Sequence, residues 1–494
     1  MSGQINTLQG SARSRRGSKH DKTGCLTCRY RHKKCVENTL PTCGACIRLN
    51  LVCIREPARC IGPPSRSSQV RGRSNVSENI APENIPRSIT PAIPTGKEDS
   101  QRRCHAMSYY IKVLSELLTV SREDNSFTSD FIPLAMESPA LYEALLAYAS
   151  GHLSSLDSSY SVVALRARSK SLNHLSKALD TSSWDSLHPE STVAASLILL
   201  TSEVCLGSHK GWYSHLIGAK HLILSTQSTV QLRTEPSGGL RDFTSFKSTP
   251  GGRWILRNFA YHDVISSVTL GRGPLLNGRY LEGITDVVDT YLGVASGILV
   301  MISDISSLDI HPKGEDDVVE FNHRCLEIED TLRSWTYSTV SLEPLSAIAG
   351  AYQASALLYL YRQKRQFAEN IKGYFGLLPA STLSMDDLDY KIHLAVRNIL
   401  HHISKVPVDH ISESCLLFPL FLAGGDASSV SQIKIVRQRL QSMLKKRQFR
   451  NIHRALDILE TLWAMKSDDT KQEGDKSPDW TTLLEDQDEP LLLT

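Results

Sequence analysis

Apolar residues return at helical spacing along most of this 494-residue chain. Met107, Tyr110, Ile111, Leu114, Leu117 and Leu118 fall on one face of a 3.6-residue helix. Ile392, Val396, Ile399 and Ile403 do the same further on. Ser138-Pro139 offers an N-cap followed by proline at the first helical position, where its missing N–H costs nothing. Strand-like alternation is scarce and no internal repeat stands out. The pattern over 103–466 therefore predicts a large, all-helical body, and the chain is classed as mainly α. A polar stretch at 226–252, with Gly, Ser and Thr, predicts a loop. The longest apolar runs, Val193–Leu200 and Val294–Ile302, have core-helix length. They fall short of the roughly 20 residues that span a bilayer, so no membrane partner is expected.

The helical pattern fails toward both ends. Residues 1–20 form a Ser/Gly/Arg-rich basic arm with no apolar core of a signal peptide. Residues 57–102 are rich in Pro, Ser and Arg and carry no heptads, which predicts a linker without a coiled-coil dimerisation arm. Residues 467–494 return to a composition typical of disorder: Asp468 to Thr494 hold nine acids against two lysines. Charge is thus sorted along the chain although its net value is only +3. Arg13, Arg15, Arg16, Lys19, Lys22, Arg29, Arg31, Lys33 and Lys34 face the single acid Asp21 within the first 35 residues. Such asymmetry points to a nucleic-acid-facing end and a separate acidic tail.

Cysteine placement sharpens this. Seven of the eleven cysteines lie between Cys25 and Cys60. Six of them, Cys25, Cys28, Cys35, Cys43, Cys46 and Cys53, repeat C-x2-C-x6-C in two halves seven residues apart. In an intracellular chain such clustered thiols suit metal better than disulfides. Zinc takes four ligands in a tetrahedron and favours thiolate. Two zincs need eight ligand positions, so six cysteines suffice only if two sulfurs bridge. Symmetry singles out Cys25 and Cys43 as the bridges. A single-zinc ribbon on Cys25, Cys28, Cys43 and Cys46 is the competing arrangement, and it leaves Cys35 and Cys53 without a role. Metal binding is expected to drive the folding of residues 21–56, which have almost no apolar core. Cys60 lies outside the repeat.

The run GCLTCRYRHKKCVENTLPTCGACIRLNLVC resembles the binuclear zinc-cluster DNA-binding domain of fungal transcription factors, over the whole motif. The resemblance implies two zinc ions, one held by Cys25, Cys28, Cys35 and Cys43, the other by Cys43, Cys46, Cys53 and Cys25. It implies that Pro41 shapes the loop between the halves and that a short helix after Cys28 enters the major groove. It places Arg31 and His32 at the base-reading positions, with Arg29, Lys33 and Lys34 on phosphates. His32 stands where the family usually has lysine, and Val36 where an acid commonly follows the third cysteine. Arginine remains suited to a bidentate contact with guanine.

Three further stretches resemble the second family of fungal-specific transcription factor domains. They are Leu199–Glu203 with Trp212–Ala219, Tyr261–Val264 leading to Gly271–Pro274, and Leu416–Gly424. The resemblance implies an all-helical regulatory domain without known catalysis. His215, Tyr261, His262 and Asp263 invite an enzymatic reading, but Trp212, His215 and Leu216 share a helical face and read as packing. His401-His402 sits on an amphipathic helix with no ligand partner at metal spacing. No phosphate loop, nucleophile elbow or zinc-protease motif is present. The basic run Lys445, Lys446, Arg447 and Arg450 reads as a solvated helix face.

Trp480, Leu483, Leu484 and Leu491–Leu493, set among acids, describe an activation-type segment or a solubilising tail. The expectation is a nuclear, zinc-dependent, DNA-binding regulator of RNA polymerase II transcription. It is expected to activate a specific pathway or biosynthetic gene cluster and not to be an enzyme. Double-stranded DNA and the transcription machinery or coactivators are its expected partners, and homodimerisation would fall to the helical body. The alternative is a zinc-bearing nuclear adaptor or corepressor that does not read DNA.

Overall fold

The computed structural model describes residues 35, 43–48, 96–180, 189–207, 211–228, 243–337, 343–372, 385–467, 478–485 and 490–494. The chain divides into two compact units, Met1–Arg87 and Ser88–Thr494. In the first unit the described residues are Cys35 and a short piece ending in helix α1, Gly44–Arg48. The basic arm and the linker up to residue 95 lie outside the described residues.

The second unit is helical, and among the described residues its only β feature is an isolated bridge, Asp289 to Gly293. Helix α2 (Gly96–Tyr109) begins ahead of the expected start at 103. A π-helical turn at Tyr110–Leu114 follows it directly. That extra residue per turn rotates the apolar face. Ala106, Tyr110, Leu114 and Leu118 are buried, while Ile111, expected on the same face, is 42% exposed.

Helix α3 (Pro139–Ser154) starts where Ser138-Pro139 predicts, and the Ser138 side chain accepts from Leu141 N. It packs on α4 (Ser161–Asp180) and α5 (Pro189–Leu206), and α5 packs on α6 (Trp212–Ser228). Helix α7 (Pro250–Thr269) is again opened by an N-cap and a proline, Thr249-Pro250. The predicted loop at 226–252 is therefore shorter than expected: α6 runs to Ser228, and a turn of helix at Thr244–Lys247 precedes α7.

Helices α8 (Ile298–Ser306) and α9 (Glu315–Ser334) lead to the long α10 (Glu343–Lys372), which packs along α11 (Met385–Ser404). The α11 stripe Ile392, Val396, Ile399 and Ile403 is buried as its spacing predicts. Helix α12 (Leu417–Gly425) is buried on every side, and α13 (Val430–Arg447) and α14 (Arg450–Lys466) close over it. A capping box between Ser429 and Gln432 starts α13.

Helix α5 is long and apolar enough to cross a membrane, but 83% of it is buried within the domain. A helix apolar all round is what the centre of a large helical protein requires.

The tail is the clearest departure from expectation. Residues 478–485 and 490–494 are packed rather than disordered: helix α15 (Trp480–Glu485) buries Trp480 and Leu484, and Leu491, Leu492 and Leu493 join the core. Acid count predicted solvation, yet the apolar residues between the acids carry enough surface to be drawn in once a partner surface exists.

Candidate nucleic-acid interface

Of the six repeated cysteines, Cys35, Cys43 and Cys46 are among the described residues. Cys25, Cys28, Cys53 and the basic residues Arg29, Arg31, His32, Lys33 and Lys34 lie outside them. Cys43 stands just before α1, and its carbonyl accepts from Cys46 N at 3.0 Å and Ile47 N at 3.1 Å. That bond pair wraps C-x2-C into one helical turn. Positions three apart on a turn are neighbours, a spacing that suits two ligands of one metal. Both cysteines are fully buried, whereas Ile47 is 63% exposed and Arg48 is exposed. A peptide that leaves isoleucine in water and encloses two thiols is organised around its sulfurs rather than around an apolar core. This donor set, soft and paired on a turn, fits zinc.

Cys104 is exposed on α2, and the three remaining described cysteines are of another kind. Burial pushes the Cys205, Cys325 and Cys415 thiols up to about 12, so they pack as small apolar groups and are not nucleophiles.

In the second unit, the residues that invite an enzymatic reading hold structure together. His262 is fully buried and burial lowers it to about 3, so it is neutral. Its ring nitrogens meet Thr201 Oγ1 at 3.3 Å and Thr494 Oγ1 at 3.1 Å. Asp263 accepts from the backbone N–H of Leu275 at 2.8 Å and Leu276 at 3.0 Å, which ties the turn after Gly271–Pro274 back onto α7. Burial raises this carboxyl to about 6, against the pull of those two N–H groups. Gly271 adopts φ +60, which explains its glycine, and Arg272 stacks over the Tyr213 ring at 4.4 Å. That stack connects two of the three family-like stretches. His215 pairs with Glu203 at 3.3 Å, and Arg168 meets the same carboxylate. Tyr261 stacks on Tyr291 inside an aromatic cluster with Trp254 and Phe127. In the third stretch, Gly424 O accepts from Trp463 Nε1 at 2.8 Å. Among the described residues no group of three or more His, Cys, Asp or Glu is arranged to hold a metal.

Two buried charge clusters escape sequence reasoning. Arg447 is 1% exposed, not part of a solvated basic face, and shares Glu413 with Arg439. Arg362 bridges Asp426 and Asp479. Neither cluster has a local signature, because its members are far apart in sequence.

A helical domain following a short module whose described cysteines suit zinc makes a two-part chain. The chain belongs to the fungal-specific transcription factor family: residues 105–494 match the fungal specific transcription factor domain, and residues 23–59 match the fungal Zn(2)-Cys(6) binuclear cluster domain. It is 21% identical to the transcriptional activator protein UGA3 of Saccharomyces cerevisiae, over 91% of this chain and 94% of that protein. It is 22% identical to the acriflavine sensitivity control protein acr-2 of Neurospora crassa, over 77% of this chain and 65% of that protein. No solved structure matches the chain significantly. The protein is a zinc-cluster transcription regulator, its cluster domain binds two zinc ions, and it acts on DNA. The family domain runs to residue 494, which agrees with the packing of the tail.

Proposed function

We propose that this chain is a nuclear activator of RNA polymerase II transcription for a specific pathway or gene cluster. The observation that carries the reading is the duplicated C-x2-C-x6-C repeat, matched in full by the binuclear cluster domain. Cys25, Cys28, Cys35, Cys43, Cys46 and Cys53 hold two zincs, with Cys25 and Cys43 shared. The zincs supply the fold of a module too small to fold on apolar contacts. Six thiolates and two zinc ions sum to about −2, which nearby Arg and Lys offset. Arg31 and His32 read bases, and Arg29, Lys33 and Lys34 meet phosphates. Arg13–Lys19 and Arg29–Lys34 serve nuclear import. The helical domain regulates and carries no catalytic step. The two relatives, a transcriptional activator and an acriflavine sensitivity control protein, support an activating, pathway-specific role.

The test uses the full chain. Elemental analysis should find two zincs per chain. Three phosphate contacts should give log K against log salt a slope of about −2.7 per cluster. Changing Arg31 and His32 to alanine should abolish promoter occupancy with zinc retained. One zinc per chain, or occupancy that survives that double change, refutes the reading, and the latter outcome favours the adaptor.

A further inference from the structure

Two surface helices of the second unit present matching apolar pairs. Leu165 and Leu172 on α4, and Val319 and Leu326 on α9, are between 40% and 69% exposed. Single exposed leucines are ordinary on a protein surface. These come in register: each pair is spaced seven residues, two helical turns, and so keeps to one face of its helix. The other face of each helix is spent on the core. Ala167, Ser171 and Leu175 are buried on α4, and Phe321, Cys325 and Leu332 on α9. Since all four side chains are exposed, the two outer faces do not cover each other within one chain.

The charges beside the two pairs are opposite in sign. Ser161 to Lys177 contain no acid, and Arg166, Lys170 and Lys177 are exposed around the leucines. Asp99, Glu143 and Glu203 approach the α4 bases from neighbouring helices, but Glu143 is shared with Arg103, so the face stays positive. On α9, Asp316, Glu320, Glu327 and Asp330 are exposed around Val319 and Leu326. His323 shares that outer face, Arg324 is half-buried at its flank, and Arg333 turns to the buried Glu329 at 2.9 Å.

We infer that α4 of one chain packs against α9 of a second copy, and that a two-fold axis repeats the contact with the roles exchanged. Leu165 and Leu172 meet Val319 and Leu326, while the α4 bases meet the α9 acids. Each copy gives both faces to such an isologous pair, so the closed dimer carries the contact twice. Charge selects this pairing. Two α4 faces would set bases on bases, two α9 faces acids on acids, and like charges across an interface repel. The linker carries no heptads, so the helical domain supplies the contact, and the assembly bears two zinc clusters.

Charge exchange in the full, zinc-loaded chain tests this. Sedimentation equilibrium should find a dimer with a dissociation constant of about 10 µM or tighter. Ser169→Glu with Lys177→Glu turns the α4 face acidic, and Glu320→Lys with Glu327→Lys turns the α9 face basic. All four positions are exposed, and the His323–Glu327 pair lost from α9 is an exposed one of little worth. Each double variant alone should weaken self-association about tenfold or more. An equimolar mixture of the two should recover the original constant to within about threefold, because both contacts of the mixed dimer again pair opposite charges. If a reversal loses helical circular dichroism, Leu172→Gln or Leu326→Gln on the same face replaces it and should weaken the dimer by the same factor. A monomer at the expected concentration overturns the inference. So does a dimer that either face's variant leaves unchanged, or a mixture of folded reversals that does not recover. A ladder of larger species overturns the two-fold closure.

Discussion

Glu413→Gln should destabilise the helical domain far more than an isosteric change usually does. Glu413 is fully buried and is the shared counter-charge of two buried arginines. Arg439 Nε lies 2.6 Å from one oxygen, and Arg447 Nη1 lies 3.6 Å from the other. The Arg439 contact is an ion pair without hydrogen-bond alignment, so its strength is mainly Coulombic. Burial lowers both arginines' pKa, and Glu413 works against that burial. The guanidiniums also fasten distant segments: Arg439 Nη2 donates to Val406 O at 2.6 Å, and Arg447 reaches Leu117 O and Ile411 O at 3.4 Å each.

Glutamine keeps an acceptor for Asp409 N, which bonds Glu413 at 3.1 Å, so what is lost is charge. Stranding buried charge by removing its partner costs about 3–5 kcal/mol. With an unfolding entropy of about 2.1 cal/mol/K per residue over roughly 390 residues, 4 kcal/mol lowers Tm by about 5 °C. Calorimetry under reversible conditions measures it. Arg122→Ala is the control, since Arg122 and Glu116 form an exposed pair and such pairs are worth under about 1 kcal/mol. If Glu413→Gln melts within about 1 °C of the Arg122→Ala protein, the cluster does not contribute as argued.

Three other outcomes are expected. His262 is held near 3 by burial, against 6.5 when unfolded, so protons bind only the unfolded chain as pH falls from 6.5 toward 3. Stability should decline through that window by up to about 5 kcal/mol, and His262→Gln should flatten the slope of midpoint against pH by about one proton. Asp479 also loses stability on acidification, but from a different cause: burial works to raise it, and Arg362 and Thr481 outweigh burial and hold it at about 2. Its contribution, roughly 2 kcal/mol, is present above pH 3.8 and lost as pH falls through about 2, and the tryptophan emission should shift to the red in that range unless Asp479 is replaced by asparagine. Cys43→Ser, at a proposed bridging position, should lower zinc below two per chain by elemental analysis and abolish DNA binding; full zinc retention would count against bridging.

The metal site was legible in the sequence because ligand spacing is a local property. Two cysteines three residues apart can share a helical turn wherever that turn sits, and the duplication counts the metals. The α11 stripe and the Ser138-Pro139 helix start were legible for the same reason. Ile111 was misplaced because one π-helical turn shifts the face, and no periodicity announces it. Charged residues were the least legible. Arg447 looks like part of a solvated basic run, yet it is buried because Glu413 comes to it from 34 positions earlier in the chain. Asp479 looks like one acid among nine in a solvated tail, yet Arg362, 117 positions away, neutralises it and carries Trp480 into the core. The sequence alone determined that this protein binds zinc, which follows from short-range spacing, while DNA binding followed from the resemblance of that motif to the fungal zinc-cluster domain. Only the tertiary structure decided which charges are buried and where the tail goes, because a charge enters a protein interior only when folding brings it a partner.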